Sequence, residues 1–140
     1  MPATDLYLAL GTNMGDRERN IKVALNLLDI HLGTHYEAIS ELMETKAIGF
    51  DGADFLNCVV RYKSAKSPLT ILNICKTIER SMGREDDPEY DAEGNRIYHN
   101  RIIDIDILIY GKRKIDTEVL KIPHPQVESR PYIKELLLHL

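Results

Sequence analysis

Asp104 and Asp106 stand two residues apart in the run Arg101-Ile-Ile-Asp104-Ile-Asp106-Ile-Leu-Ile-Tyr110. As a β-strand this run places both carboxylates on one face, with Cα atoms about 6.6 Å apart at ~3.3 Å rise per residue. Ile103, Ile105, Ile107 and Ile109 then fill the opposite face, which marks the strand as buried. Adjacent carboxylates repel, and burying them unpaired is costly. A cation between them removes that cost. Hard oxygen ligands suit magnesium, above all where a polyphosphate supplies the remaining ligands. The competing reading is an exposed sheet face with solvated acids, and the flanking isoleucines argue against it.

Arginines supply the complementary charge. Arg84, Arg101 and Arg130 carry fork-shaped guanidinium groups that suit polyphosphate oxygens. By strict alternation Arg101 points away from Asp104, so it assists only where the regular strand starts after it. His124 is held between Pro123 and Pro125. Its imidazole can bond a phosphate oxygen or serve the structure, and the prolines alone do not decide. Gly11-Thr12-Asn13-Met14-Gly15 has the placement of a phosphate loop but lacks the Walker lysine, which favours a turn and capping role.

The elements that must position these groups follow from periodicity. Residues 6–10 are apolar on both faces, as in a central strand. Ile21, Ala24, Leu25, Leu28 and Leu32 form one face of a helix over 16–32, which Gly33 stops. A second strand is expected over 36–44, a loop over 45–54, and a third strand over 55–63. Ser67-Pro68 caps a helix that ends near Gly83. The strand over 102–110 leads through a turn at 111–114 into an extended segment reaching 122. Residues 123–125 are expected to stay extended, because each proline restricts its predecessor. Pro131 opens a last helix. The order β-α-β-β-α-β plus a C-terminal extension predicts an α+β domain, the ferredoxin-like antiparallel sheet with helices on one face.

The 140 residues suit one domain spanning 1–140. Net charge is −4, so no general basic field invites nucleic acid or an anionic membrane. Residues 85–100 carry six acids and one base, so a local balance of −5 leaves the rest of the chain near +1. Cys58 and Cys75 match no zinc or redox spacing and read as buried, reduced thiols. No leader pattern and no apolar run of about 20 residues is visible, which predicts a cytoplasmic protein. A long polar stretch such as 84–100 is usually functional or disordered. Residues 85–100 are expected to form a lid without regular packing, with Arg96, Tyr98 and His99 facing the site and the acids facing solvent.

Taken together, these segments resemble the 6-hydroxymethyl-7,8-dihydropterin pyrophosphokinases of folate biosynthesis. The matching pieces are Leu10-Gly11-Thr12-Asn13, Phe55-Leu56-Asn57, Glu79 with Gly83-Arg84, the Arg101 to Ile107 segment, Ile122-Pro123-His124 and Arg130. The resemblance implies transfer of pyrophosphate from ATP to the pterin hydroxymethyl oxygen, with attack at the β-phosphorus and AMP leaving. It implies two magnesium ions held by Asp104 and Asp106, with Arg84 and Arg101 acting on the phosphates during transfer. Lys76, Glu79, Ile107, His124 and Arg130 would attend ATP. Thr45, Ile48, Asn57 and Asp104 would border the pterin, Phe55 and Tyr132 would stack on its two faces, and Tyr98 would belong to the lid.

Certain positions depart from the family pattern. Lys46 and Ala47 stand where prolines are usual, Phe55 replaces a common tyrosine, and Pro125 follows His124 where many members have tyrosine. The partners implied are ATP and a hydroxymethyl-dihydropterin, with no nucleic acid and no membrane, on a monomer. The rival functions are a non-catalytic ferredoxin-like small-molecule sensor and an RNA-binding module.

Overall fold

The computed structural model describes residues 2–46, 52–83, 89–90, 92–93, 96–97 and 102–140, and of 89, 90, 96 and 97 the backbone alone. Its elements are β1 (Thr4–Thr12), α1 (Arg17–Leu32), β2 (Ala38–Ile39), β3 (Met43–Thr45), β4 (Phe55–Ser64) and α2 (Pro68–Ser81). They continue with β5 (Glu89–Tyr90), β6 (Arg96–Ile97), β7 (Asp104–Tyr110), β8 (Ile115–Asp116), β9 (Lys121–Ile122), α3 (Gln126–Ser129) and α4 (Pro131–Leu138).

The main sheet runs β2-β4-β1-β7, with β3 also paired to β4, and every pairing is antiparallel. Both long helices start as their sequences require. Asp16 accepts from the Arg19 N–H and Ser67 from the Thr70 N–H, so each cap satisfies an orphan donor of the first turn. Ile21, Leu28, Ile71 and Ile78 then pack with Leu8, Leu10, Ile105 and Ile107 in the larger core. A smaller cluster lies on the opposite face, where Ala9, Val59 and Leu108 meet Ile133 and Leu136 of α4. The sheet is therefore covered on both faces, and the C-terminal extension supplies the second cover. Cys58 and Cys75 are free and buried, as the sequence suggested, and burial pushes the Cys58 thiol up to about 12.

Five expectations are corrected. The second strand is split into β2 and β3, because Ser40 interrupts it. The Ser40 N–H still bonds Val59 O, but its hydroxyl takes the Val59 N–H at 2.8 Å in place of a backbone carbonyl. The extended segment reaching 122 is a hairpin of β8 and β9, turned at Thr117, whose N–H and hydroxyl both bond Leu120 O. Pro125 is not extended: at φ −55, ψ −28 it leads into α3, a placement proline tolerates because it brings no N–H. Ile109 does not share a face with Ile103, Ile105 and Ile107. The ladder with β1 shifts between Tyr7 and Leu8, which leaves Leu108 as an extra residue on β7 and turns Ile109 toward the smaller cluster. Within 85–100, backbone pairing of β5 with β6 adds a short ladder where none was expected.

Candidate active site

Gly11 organises one half of the site. It stands directly opposite Asn57 of β4 and directly opposite Asp104 of β7, so the three share one sheet face. A Cβ at position 11 would lie 3.1 Å from Asn57 Oδ1 and 3.6 Å from Phe55 Cδ1, and glycine leaves that space to the two side chains. Asn57 Nδ2 donates to Met43 O at 3.1 Å and to Thr45 Oγ1 at 2.8 Å. With both amide hydrogens spent on β3, the carbonyl oxygen is fixed on the Gly11 side. Thr45, Phe55 and Asn57, singled out in the sequence, are thus brought together by the two adjacent strands β3 and β4. Behind them Thr12 accepts from Asn20 Nδ2 and Asn13 donates to Ala53 O, the turn role expected of this segment.

Asp104 and Asp106 do point to one face. Both are half-buried, while Ile105 and Ile107 between and beyond them are buried in the larger core. Regular strand geometry begins at Asp104, after Arg101, which is the condition under which Arg101 can assist. Beside the edge of β7 opens a cleft of about 360 Å³, within the range of small-molecule sites. Lys76, Glu79, Asp104, Asp106, Ile107 and His124 all line it. Residues 118–121 of the β8–β9 hairpin form a further wall that sequence reasoning missed, because nothing in their composition marks a site.

His124 is seated by backbone. Its N–H donates to Leu108 O at 2.8 Å, the carbonyl of the extra residue in β7. Its Nδ1 accepts from the Gln126 N–H at 3.1 Å, which places the neutral ring's proton on Nε2, 4.0 Å from Asp106 Oδ1. Burial holds the imidazole below the usual histidine range, with Arg130 adding to this and Asp104 opposing it. A neutral ring at pH 7 follows, so the contact with Asp106 is not an ion pair there. Gln126 was also missed from sequence. Its Nε2 reaches Asp106 Oδ2 at 3.5 Å, so one residue touches both functional side chains. Arg130 Nη1 donates to the Tyr132 hydroxyl at 3.1 Å, which links these two candidates at the start of α4.

Arg84, Arg101, Ile48 and Tyr98 lie outside the described residues, as do His99 and the side chain of Arg96. Among the described residues no group of three or more His, Cys, Asp or Glu side chains could hold a metal. Two carboxylates fall short of the six oxygens magnesium takes, so the donor set fits an ion that keeps waters and brings substrate phosphates with it. No helix among the described residues is long and apolar enough to cross a membrane.

The profile of the 7,8-dihydro-6-hydroxymethylpterin-pyrophosphokinase family matches residues 7–140. The chain belongs to this pyrophosphokinase family. It is 34% identical over 128 residues to the 2-amino-4-hydroxy-6-hydroxymethyldihydropteridine pyrophosphokinase of Bacillus subtilis, covering 91% of this chain and 72% of that protein. It is 37% identical over 131 residues to the protein of the same name from Porphyromonas gingivalis, covering 92% and 85%. A folate synthesis bifunctional protein of Arabidopsis thaliana is 38% identical over 137 residues, covering 97% of this chain and 27% of that one.

Proposed function

We propose that this protein transfers pyrophosphate from ATP to the hydroxymethyl group of 6-hydroxymethyl-7,8-dihydropterin, releasing AMP, a step of folate synthesis. The observation that carries the reading is the shared face on which Gly11 separates Asn57 from Asp104. Asn57 and Thr45 meet the edge of the pterin, and Phe55 and Tyr132 offer aromatic faces to its ring. Ile48 and Tyr98 are assigned to the same substrate by family resemblance alone.

Lys76, Ile107, His124 and Arg130 attend the nucleotide. A neutral His124 with its proton on Nε2 donates to a phosphate oxygen without adding charge. Asp104 and Asp106 would hold two magnesium ions, which when bound neutralise the phosphates and clamp attacking and leaving oxygens. Phosphoryl-type transfer asks mainly for positioning and charge neutralisation, and Arg84 and Arg101 are proposed for the second task. We read the architecture as ferredoxin-like, supported by the strand order and the two helices on one face. The protein is further proposed to be a cytoplasmic monomer. An RNA reader is not favoured, because the face it would use carries Asp104 and Asp106, which repel a phosphate backbone. The deciding assay follows AMP: it should form from ATP only when a hydroxymethyl-pterin is present, and pterin-independent AMP release would refute the reading.

A further inference from the structure

We propose that Glu79 is a positioning residue for the Asp104–Asp106 pair, acting through the backbone of β7 rather than by contact with the nucleotide. Glu79 sits on the sheet-facing side of α2 and is 3% exposed. Its Oε2 accepts a 2.9 Å hydrogen bond from the N–H of Ile105, the residue between the two aspartates. Among the described residues β7 ends the strand order, and no strand there pairs with N–H groups on its outer side. The bond to a carboxylate is charge-assisted and stronger than one to a neutral acceptor. It ties the edge strand to α2 at the one position from which both carboxylates are equally distant. Rolling β7 about its axis would swing Asp104 and Asp106 together, and this bond opposes that motion.

A carboxylate is an expensive group to bury, and a methionine would fill the same space at far lower desolvation cost. Capping the strand edge for stability alone is the competing explanation. Direct nucleotide contact is a second, because Glu79 also lines the cleft, and the variants below separate the two. The inference rests on the proposed magnesium role of the aspartates, so the test must separate the two.

Three forms of the full chain are compared: wild type, Glu79→Gln, which keeps an acceptor, and Glu79→Met, which keeps the volume without one. Amide exchange at Ile105 is read by NMR without ligands. ATP affinity is then measured in EDTA and in magnesium, followed by kcat and KM. Positioning predicts that Glu79→Met loses Ile105 protection and loses about 10–100-fold in kcat and in the magnesium-dependent gain in ATP affinity. Its affinity for ATP in EDTA should hold, and Glu79→Gln should lose far less on every measure. Should Glu79→Met fail to fold, Glu79→Asp, which withdraws the acceptor by one methylene, takes its place. Equal loss of metal-free ATP affinity in the Gln and Met variants would overturn the proposal in favour of direct contact. A lower melting temperature with kcat and magnesium dependence unchanged would overturn it in favour of simple edge capping. Wild-type protein whose ATP affinity ignores magnesium would overturn the magnesium reading and this one with it, even with Ile105 protection intact.

Discussion

Asn57 and Asp104 lie two strands apart on one face of the sheet, each directly opposite Gly11. At ~4.8 Å per strand their backbones are about 9.6 Å apart. That gap is the length of a bicyclic ring carrying a short side arm. On the proposed reading, a pterin whose edge is met by Asn57 would present its hydroxymethyl group toward the carboxylates.

Gly11→Ala tests that geometry. The new Cβ would stand 3.1 Å from Asn57 Oδ1, and the amide, held by Met43 and Thr45, has little room to yield. The variant should bind pterin at least about tenfold more weakly, the loss of one good hydrogen bond, and bind ATP normally. Calorimetry with each ligand separately reads this, and equal losses for both would point to a general disturbance of the sheet.

Asp104→Asn and Asp106→Asn should each lower turnover by several orders of magnitude while the fold persists. Without metal, stability should hold or rise slightly, because repulsion between the carboxylates is relieved. Thermal melts and AMP production at ordinary magnesium are the two measurements. Near-normal turnover from either variant would remove the metal assignment.

Gln126→Leu should have a graded effect. The backbone N–H that fixes the His124 tautomer remains, and only the 3.5 Å contact with Asp106 is lost. A contact that long is weak, so kcat should fall several-fold rather than by orders of magnitude. A loss as large as that of Asp106→Asn, in the same kinetic assay, would mean that Gln126 does more than steady its neighbour.

Tyr62 gives a pH signature. Its hydroxyl donates to Asp29 Oδ1 at 2.6 Å in the larger core, and burial, then Asp29, push the phenol well above its ordinary 10. Because the folded-state value is the raised one, the contribution to stability is complete below about pH 10 and is lost as pH climbs toward the folded value. Tyr62→Phe should cost about 1.5–3 kcal/mol near neutrality, the range for a hydrogen bond to a charged group. The difference from wild type should shrink above pH 10 in denaturant titrations, and a constant difference across that range would refute the linkage.

Much of this was legible in the sequence because it depends on local rules. The stripe from Ile21 to Leu32, the Ser67-Pro68 cap and the alternation from Ile103 to Ile107 each report a face or an end directly. What escaped depends on partners distant in sequence. The phase change at Leu108 exists because β1 pairs out of step there, and Ser40 interrupts a strand by taking an N–H from Val59. Gln126 looks like any surface amide until α3 turns it toward Asp106. Glu79 is singled out by resemblance, but its bond to the Ile105 N–H is shown only by the packing of α2 against β7.

The smaller cluster has a bearing on how the protein loses activity. His124 and Arg130 flank α3 and lead into α4, and α4 is fastened through Ile133 and Leu136 to the face opposite the larger core. Two clusters divided by a sheet are natural cooperative units with separate opening free energies. Release of the C-terminal unit would carry off His124 and Arg130, the side chains proposed to attend the nucleotide, while β1, β4 and both long helices stayed in place. Heat inactivation would then precede loss of the helical signal, and the enzyme's working temperature would be set by a few apolar contacts of α4 rather than by the bulk of its core.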